Sequence, residues 1–511
     1  MLASGEMLRP KVLLILGHPR KDSFCGALAE AYAEGAERAG LDVQRLVLAD
    51  LVFDPNVRVP SPENQVLEPD LRRAQALILW ADHLVFVYPT WWGTAPALLK
   101  GFLDRTLVPG FAFEDQEGGP GPGCGRLKGR SAHLLVTMDT PPWAYRLFTR
   151  QPGHQAMKRA TLGFCGIGPT FVSSFGPVRP AAPPVLEGWL LQVRQEALGL
   201  PARLAAARRR ARLGAWLKIL RLQFYPMTWV AYTLGALAAS LGRPWSPLAY
   251  GLGYACVFLA EVLTVLGNEW YDQGTDRLNR HAGPFNGGSR VLVEGALGVV
   301  AVRRAMRCVA LLLLLGLVGL AWALPGSHAA IGLMVAVTCL AVGYTLPPLR
   351  LVYRGLGEFD VALTHSFAAI ACGALLQSGT ALPPVVWQAG APLFLATLPA
   401  IILSAVPDLE ADGAVGKRTL AVLLGPRRAV ALALGAALAA AGLGLWGRQL
   451  GYYEGLSGLA VYLAAVHGIV LAWRLVLFFR RGAPTTRIDG LMVLALTYLL
   501  WFGLIPLVHL L

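Results

Sequence analysis

Nine apolar windows of roughly twenty residues crowd the second half of this 511-residue chain, centred near 232, 257, 313, 337, 368, 398, 438, 466 and 499. Each has about the length an α-helix needs to cross a hydrocarbon core, where backbone polar groups must be satisfied within the segment itself. The windows predict an all-α bundle of nine transmembrane helices over residues 221–511, and they require the first part of the chain to fold separately. Charge divides the chain at the same place. Residues 1–200 carry 20 Lys/Arg and 19 Asp/Glu, whereas residues 201–511 carry 25 and 12, so nearly all of the formal +14 belongs to the apolar half. Those cations fall between the windows, a pattern of membrane topology rather than of a surface that tracks nucleic acid. Loops near 269–307, 347–358, 408–428 and 474–487 hold sixteen Lys/Arg, and the opposite loops only Arg243 and Arg448. Cationic loops stay inside, which predicts a multi-pass cell-membrane protein with residues 1–180 in the cytoplasm. The seven cysteines are scattered without a CxxC pair, so neither a disulfide framework nor a zinc site is expected. MLASGEMLRP leads straight into a strand-like segment and has no signal-peptide h-region or cleavage site.

KVLLILG at 11–17, LDVQRLVL at 41–48, HLVFVYP at 83–89, AHLLVTM at 132–138 and PTFVSSFG at 169–176 are short apolar runs separated by helical patterns. This alternation predicts an α/β doubly wound parallel sheet, whose ligands sit beyond the carboxyl ends of the strands. Those ends carry HPRKDSFC, PTWWGT and MDTPPW. Ser23 is placed to cap a helix, where it either merely caps or also helps hold a phosphate. Trp91 and Trp92 at a loop tip either pack into the core or flank a flat conjugated ring. GGPGPGCG at 118–125 neither follows a clear strand nor opens a helix, and reads as a loop rather than a dinucleotide fingerprint.

Taken together, GHPRKDSF, VYPTWWGTAPALLKGFLDRTLVPGFAF, TMDTPPW and LGFCGIGP resemble the flavodoxin-like NAD(P)H:quinone oxidoreductases over about residues 10–180. The resemblance implies a bound FMN or FAD and NAD(P)H as electron donor. It places His18, Ser23 and Phe24 in the phosphate loop, Pro89, Thr90, Trp91, Trp92, Gly93 and Thr94 along the isoalloxazine, and Asp139 and Thr140 on its other flank. Asp139-Thr140-Pro141-Pro142 departs from the Thr-Thr-Gly-Gly turn of better-known members. Tyr145 and His154 are proton-handling candidates. Such reductases usually dimerise, so a homodimer through this domain is the implied assembly.

A proline-rich stretch, PVRPAAPPVLEGW at 177–189, ends the sheet pattern, and residues 181–220 read as a linker and basic juxtamembrane helix. Arg203, Arg208, Arg209, Arg210, Arg212, Lys218 and Arg221 there suit anionic lipid headgroups. Beyond it lie two acidic clusters, NEWYDQGTD at 268–276 and DLEAD at 408–412, where windows meet polar loops. A carboxylate at such an edge is costly unless solvated, paired or bound to a cation. Asn268, Asp272 and Asp276, and likewise Asp408 and Asp412, recur every four residues, which lays each set along one helix face. Facing one another, they form a hard-oxygen basket suited to Mg²⁺. Tyr344, Arg350, Arg354, Lys417 and Arg418 lie near the same edge, a combination that fits a metal diphosphate with cations on its remaining oxygens. Glu261 shares the face of Asn268 and is either a cavity residue or a paired bundle carboxylate. His365 and Gln377 read as packing or interhelical hydrogen-bond residues.

NEWYDQGTDRLNR, YTLPPLR and DLEADGAVGKRT resemble the motifs of the UbiA-type membrane aromatic prenyltransferases over about residues 215–511. That resemblance implies Mg²⁺-assisted loss of diphosphate from an isoprenyl donor and capture of the allylic cation by an electron-rich aromatic carbon. Asn268, Asp272, Asp276, Asp408 and Asp412 would hold the metals. A quinone is an electrophile and cannot trap such a cation, whereas its hydroquinone can, so a reductase in the same chain is expected to make the prenyl acceptor. A reductase acting on unrelated quinones, or a redox sensor, is the alternative use of the first domain.

Overall fold

In the computed structural model, residues 10–114, 125–484 and 486–511 are described; the N-terminal leader segment and residues 118–124 of the glycine-rich stretch lie outside them. The chain forms two compact units, Met1–Arg210 and Ala211–Leu511.

The first unit is a five-stranded parallel sheet in the order β2-β1-β3-β4-β5, built from β1 (Lys11–Leu16), β2 (Asp42–Val47), β3 (His83–Pro89), β4 (Ser131–Thr137) and β5 (Thr170–Phe175). All five expected strands are present. β3 and β4 are buried along their whole length, which is why they read as unbroken apolar runs rather than as alternation. Order reverses between β1 and β3, so the loops after these two strands diverge and open a crevice. The segment expected to be a connector begins with a helix, Pro183–Leu198, whose Val193 and Ala197 complete the core formed by Leu28, Tyr32 and Leu135. The boundary between units falls within the next helix, Leu200–Leu220. Arg208, Arg209, Arg210 and Arg212 are exposed along it.

The second unit is helical. Each of the nine windows lies on a helix, but seven helices are long and apolar enough to cross a membrane among the described residues: Pro247–Tyr271, Val299–Ala323, Gly357–Ser378, Val385–Ala405, Pro426–Gln449, Gly455–Arg480 and Asp489–Leu510. Tyr225–Ala239 and His328–Gly343 have 15 and 16 residues. At 1.5 Å per residue they rise only about 24 Å at most, shorter than the seven helices above. Tyr225–Ala239 is instead packed inside the bundle. At Gly235 and Gly373 a Cβ would come within 1.8 and 2.0 Å of carbonyl oxygens of the opposing helix, so two backbones meet where only glycine fits. Gln377 holds Ser246 through both its amide groups at 3.0 Å, the interhelical role expected of it.

Candidate functional site

The sheet unit gathers its candidate residues at the carboxyl ends of β1, β3 and β4. Ser23 Oγ accepts from the Gly26 N–H at 3.2 Å and donates to the Arg20 carbonyl at 3.0 Å, while His18 Nδ1 accepts from the Arg20 N–H at 2.9 Å. These bonds fix a tight loop at the N-terminus of Phe24–Arg38, where unpaired N–H groups favour an anion. Phe24 leans on Trp189 and belongs to the packing beneath that loop. After β3, the Thr90 N–H donates to the Thr137 carbonyl at 2.7 Å, and Trp91 and Thr94 pair backbone to backbone across Trp92 and Gly93. Trp91 is 46 % exposed and Trp92 fully so, which removes the core-packing reading of this pair. Tyr145 Oη donates to the Gly93 carbonyl at 2.8 Å and accepts from the Gly153 N–H at 3.0 Å, and its ring meets His154 edge-on at 5.2 Å. Both proton-handling candidates therefore stand beside the tryptophan loop. Burial pushes His154 down to about 4, keeping it neutral at physiological pH, and its Nε2 is buried without a hydrogen-bond partner. Asp139 is exposed and accepts from the Arg179 N–H at 2.9 Å; Thr140 beside it is exposed too.

In the bundle, Ser246 caps Pro247–Tyr271, accepting from the Ala249 N–H at 3.3 Å. The helix ends where Asp272 N–H donates to the Asn268 carbonyl at 2.8 Å; Asp276 N–H then donates to the Asp272 carbonyl at 2.9 Å. Asp412 N–H repeats this with the Asp408 carbonyl at 2.8 Å. The four-residue spacing thus does place each set on successive turns. Asn268, Asp272, Asp276, Asp408 and Asp412 line one cavity of about 630 Å³, together with Tyr344, Lys417 and Glu261. Its remaining wall is largely apolar, with Val257, Leu313, Met334, Ile401 and Leu496 among the lining residues. A pocket with a carboxylate end and an apolar body matches an amphiphile with a charged head and a hydrocarbon tail.

Residues 228–506, more than half of the chain, match the UbiA prenyltransferase family, and residues 10–194 match the flavodoxin-like fold. The chain belongs to the UbiA prenyltransferase family. Its first domain is similar to an uncharacterized NAD(P)H oxidoreductase of Haemophilus influenzae, 28% identical over 171 residues that cover 32% of this chain and 83% of that protein. It is also similar to ribosyldihydronicotinamide dehydrogenase [quinone] of Mus musculus, 29% identical over 192 residues, covering 31% of this chain and 78% of the relative. A solved apo UbiA homolog from Aeropyrum pernix K1 is 20% identical and covers 57% of this chain and 98% of its own, with a TM-score of 0.44. The chain thus joins a UbiA prenyltransferase domain to a quinone-oxidoreductase-like domain, and it is a multi-pass membrane protein.

Within the UbiA domain the acidic side chains do not close on one point. Lys417 Nζ lies 3.0 Å from Asp272 and 3.6 Å from Asp412, bridging the two clusters. Asp408 is occupied by the amides of Asn279 and Asn286, each at 2.6 Å, and by the Gly287 N–H at 3.0 Å. Among the described residues no three Asp, Glu, His or Cys side chains gather closely enough to hold a metal by themselves. The expected five-donor basket is therefore not what the geometry presents. What it presents is a smaller set: Asn268 Oδ1 and Asp272 Oδ1 are buried without hydrogen-bond partners, hard oxygens one turn apart. That fits Mg²⁺, which is commonly held by one or two carboxylates while substrate phosphates and waters complete its shell. Electrostatics agree. Burial, then the neighbouring Glu269 and Asp272, pushes Asp276 up to about 8; burial raises Asp412 to about 7 despite Lys417. Burial opposes charge on Lys417, yet Asp272 and Asp412 hold its pKa above the ordinary lysine range.

Three expected diphosphate ligands lie elsewhere. Arg350 stacks over Tyr353 at 3.9 Å and Tyr271 at 5.5 Å, Arg354 is exposed and donates to the Pro348 carbonyl at 3.0 Å, and the exposed Arg418 donates its N–H to the Val352 carbonyl at 2.9 Å. None lines the cavity, whereas Arg221, from the basic run before the bundle, does. Spacing also missed the loop over the cavity. Glu269 accepts from the Ser289 N–H at 2.6 Å and its hydroxyl at 2.5 Å, and Gly288, at φ +67°, would drive a Cβ to 2.1 Å from Asp276 Oδ2. The Asn-Gly-Gly-Ser run at 286–289 was the available signal: paired glycines beside an amide mark a backbone pressed against something.

Proposed function

We propose that the flavodoxin-like domain reduces a quinone and that the UbiA domain prenylates the resulting hydroquinone. The observation that carries this reading is the pairing, in one chain, of a quinone-oxidoreductase-like domain with a cavity that has a carboxylate end and an apolar body. In the first step the His18–Phe24 loop and Trp91–Thr94 would hold FMN or FAD, which would supply two-electron transfer from NAD(P)H to the quinone; two protons complete the hydroquinone. His154, whose Nε2 is unpaired, would steady the ring oxygen that gains the charge, with Tyr145 holding the tryptophan loop beside it. In the second step a ring carbon of the hydroquinone bonds to C1 of an isoprenyl diphosphate. The C1–O bond breaks with its electron pair leaving on diphosphate, and the ring carbon releases its proton.

Asn268 and Asp272, with Asp276 and Asp412 at hand, would hold Mg²⁺, which would supply positive charge to the diphosphate and so make it a better leaving group. Lys417 and Arg221 take phosphate oxygens, and Tyr344 lines the path beside them. Asp408 keeps the 279–289 loop over the site, excluding water from a reaction whose allylic cation water would quench. The apolar wall accepts the prenyl chain. With the cationic loops inside, the reductase shares the cytoplasmic side with the cavity mouth, and the tether keeps its product at high effective concentration.

Full-length protein in lipid, given quinone, Mg²⁺ and isoprenyl diphosphate, should form prenylated product only when NAD(P)H is added. Equal yield without NAD(P)H would refute the coupling and favour a reductase serving other quinones.

A further inference from the structure

The cavity has a second polar end that neither the diphosphate nor its metal explains. Tyr225 and Thr228, each 5 % exposed, lie three residues apart on one face of Tyr225–Ala239, and Glu261 lies on the neighbouring Pro247–Tyr271. All three line the cavity. Tyr225 Oη, Thr228 Oγ1 and Glu261 Oε2 are buried and make no well-formed hydrogen bond, although the Thr228 hydroxyl and the Glu261 carboxyl lie near enough to interact and Tyr225 feels the same carboxyl. A buried polar atom left unpaired costs about 1–3 kcal/mol, and three together inside a mostly apolar chamber mark a place built for a polar group from outside. Gln377 and Tyr232, also on bundle helices, show the ordinary alternative, since both have partners at about hydrogen-bond distance.

We infer that Tyr225, Thr228 and Glu261 form the acceptor-ring subsite and read a hydroxyl on the aromatic substrate. This rests on the prenyl-transfer reading and names the acceptor class for it. A ring hydroxyl meets all three groups: it donates to Glu261 Oε2 and accepts from Thr228 or Tyr225. A quinone carbonyl has no proton to give, so it can meet only donors of the set and leaves an acceptor oxygen of Glu261 unpaired. The pocket itself therefore separates hydroquinone from quinone. Discrimination by a donor that one ligand has and the other lacks is far stronger than discrimination by shape.

Position supports the assignment. Glu261 precedes Asn268 by seven residues on the same helix face, about 10 Å along the axis. A near-attack gap of about 3 Å plus one aromatic ring and its hydroxyl fills that distance, so a ring anchored at Glu261 reaches the allylic carbon of a diphosphate held at Asn268 and Asp272. Glu261 accepts a hydrogen bond from the hydroxyl and so steadies the positive charge that spreads into the ring as the ring carbon bonds to the allylic carbon and diphosphate leaves with the C–O electron pair. The ring carbon then sheds its proton to the departing diphosphate, and aromaticity is restored.

The test uses full-length protein in lipid discs with Mg²⁺ and, as probes, a naphthalene meta-diol, which cannot oxidise to a quinone, and its dimethyl ether. Equilibrium binding should favour the diol at least tenfold in the native protein. Glu261→Gln and Thr228→Val should each bring that ratio close to one, and leave unchanged the affinity for an unreactive isoprenyl diphosphate analogue, which also reports that the variants are folded. Retention of the diol preference in both variants overturns the subsite, as does parallel loss of analogue affinity in both. If the native protein does not bind the diphosphate analogue, the prenyl-transfer reading falls, while the diol-to-ether ratio still decides the subsite.

Discussion

Arg105 in the sheet unit and Asp272 in the bundle are both charges removed from water, yet they are treated in opposite ways. The Arg105 guanidinium is completely buried and donates four hydrogen bonds, to the Asp54 and Val66 carbonyls at 2.6 and 3.0 Å and to both oxygens of Glu68 at 3.2 and 2.9 Å. It fastens the loop after β2 to the helix Ala97–Thr106. Asp272 is paired on one oxygen with Lys417 and leaves the other buried and unmet, next to the unmet Asn268. A buried charge held by four hydrogen bonds away from any cavity, with only its Nε left over, specifies structure, whereas a half-paired one lining a cavity is kept for something that arrives. The sheet unit accordingly places its cofactor candidates on backbone turns at the surface and saves charge for scaffolding. The bundle does the reverse.

The comparison can be broken at four points. Arg105→Ala should cost about 3–5 kcal/mol, the usual result of stranding the partner of a buried ion pair, seen as lost amide protection in β3 and in Ala97–Thr106. Prenyl transfer to chemically supplied hydroquinone should survive it. Asp272→Asn should do the opposite, lowering prenyl transfer about a hundredfold or more while NAD(P)H oxidation and the amide protection of β3 stay within error. Chelation of Mg²⁺ should reproduce this split. Gly288→Ala, at positive φ and against Asp276, should cost about 1–3 kcal/mol locally and slow transfer; full activity would mean that the loop does not hold the carboxylate.

The smallest effect concerns pH. Burial lowers His83 to about 3 and His154 to about 4, against an ordinary value of 6.5. Above pH 6.5 both states are neutral there and stability is unaffected. As pH falls from 6.5 toward 4 the unfolded chain binds protons that the folded one refuses. Stability of the sheet unit then drops by at most about 1.4 kcal/mol per pH unit per histidine. Hydrogen exchange of β3 and β4 in the full chain should show this decline, and His83→Gln should make it shallower.

How much was legible in the sequence follows the same division. The five strands could be read because burial on both faces writes a continuous apolar run, and the three loops after them because strand ends fix where ligands go. In the bundle, the spacing of Asn268, Asp272 and Asp276 and of Asp408 and Asp412 was enough to put them in one cavity. Spacing could not show that Lys417 would bridge them or that Asn279 and Asn286 would occupy Asp408. Apart from Lys417 with Asp412, those contacts join residues more than a hundred positions apart and are set by helix packing. Arg350 shows a related limit: in the sequence it is a cation near a carboxylate motif, in the structure it stacks on Tyr353, and only three-dimensional placement reveals that contact. The two short helices joined the count because hydropathy measures apolarity and not helix length.

The central claim is that the first domain makes the acceptor used by the second. Trp91→Ala, which removes one wall of the proposed flavin site, separates the two steps in the intact chain. With Mg²⁺ and isoprenyl diphosphate, this variant should prenylate a chemically reduced hydroquinone at the native rate and, given the quinone with NAD(P)H, form product at least tenfold more slowly than the native protein. Loss of both reactions in parallel, or native yield from the quinone despite abolished NAD(P)H oxidation, would contradict the account.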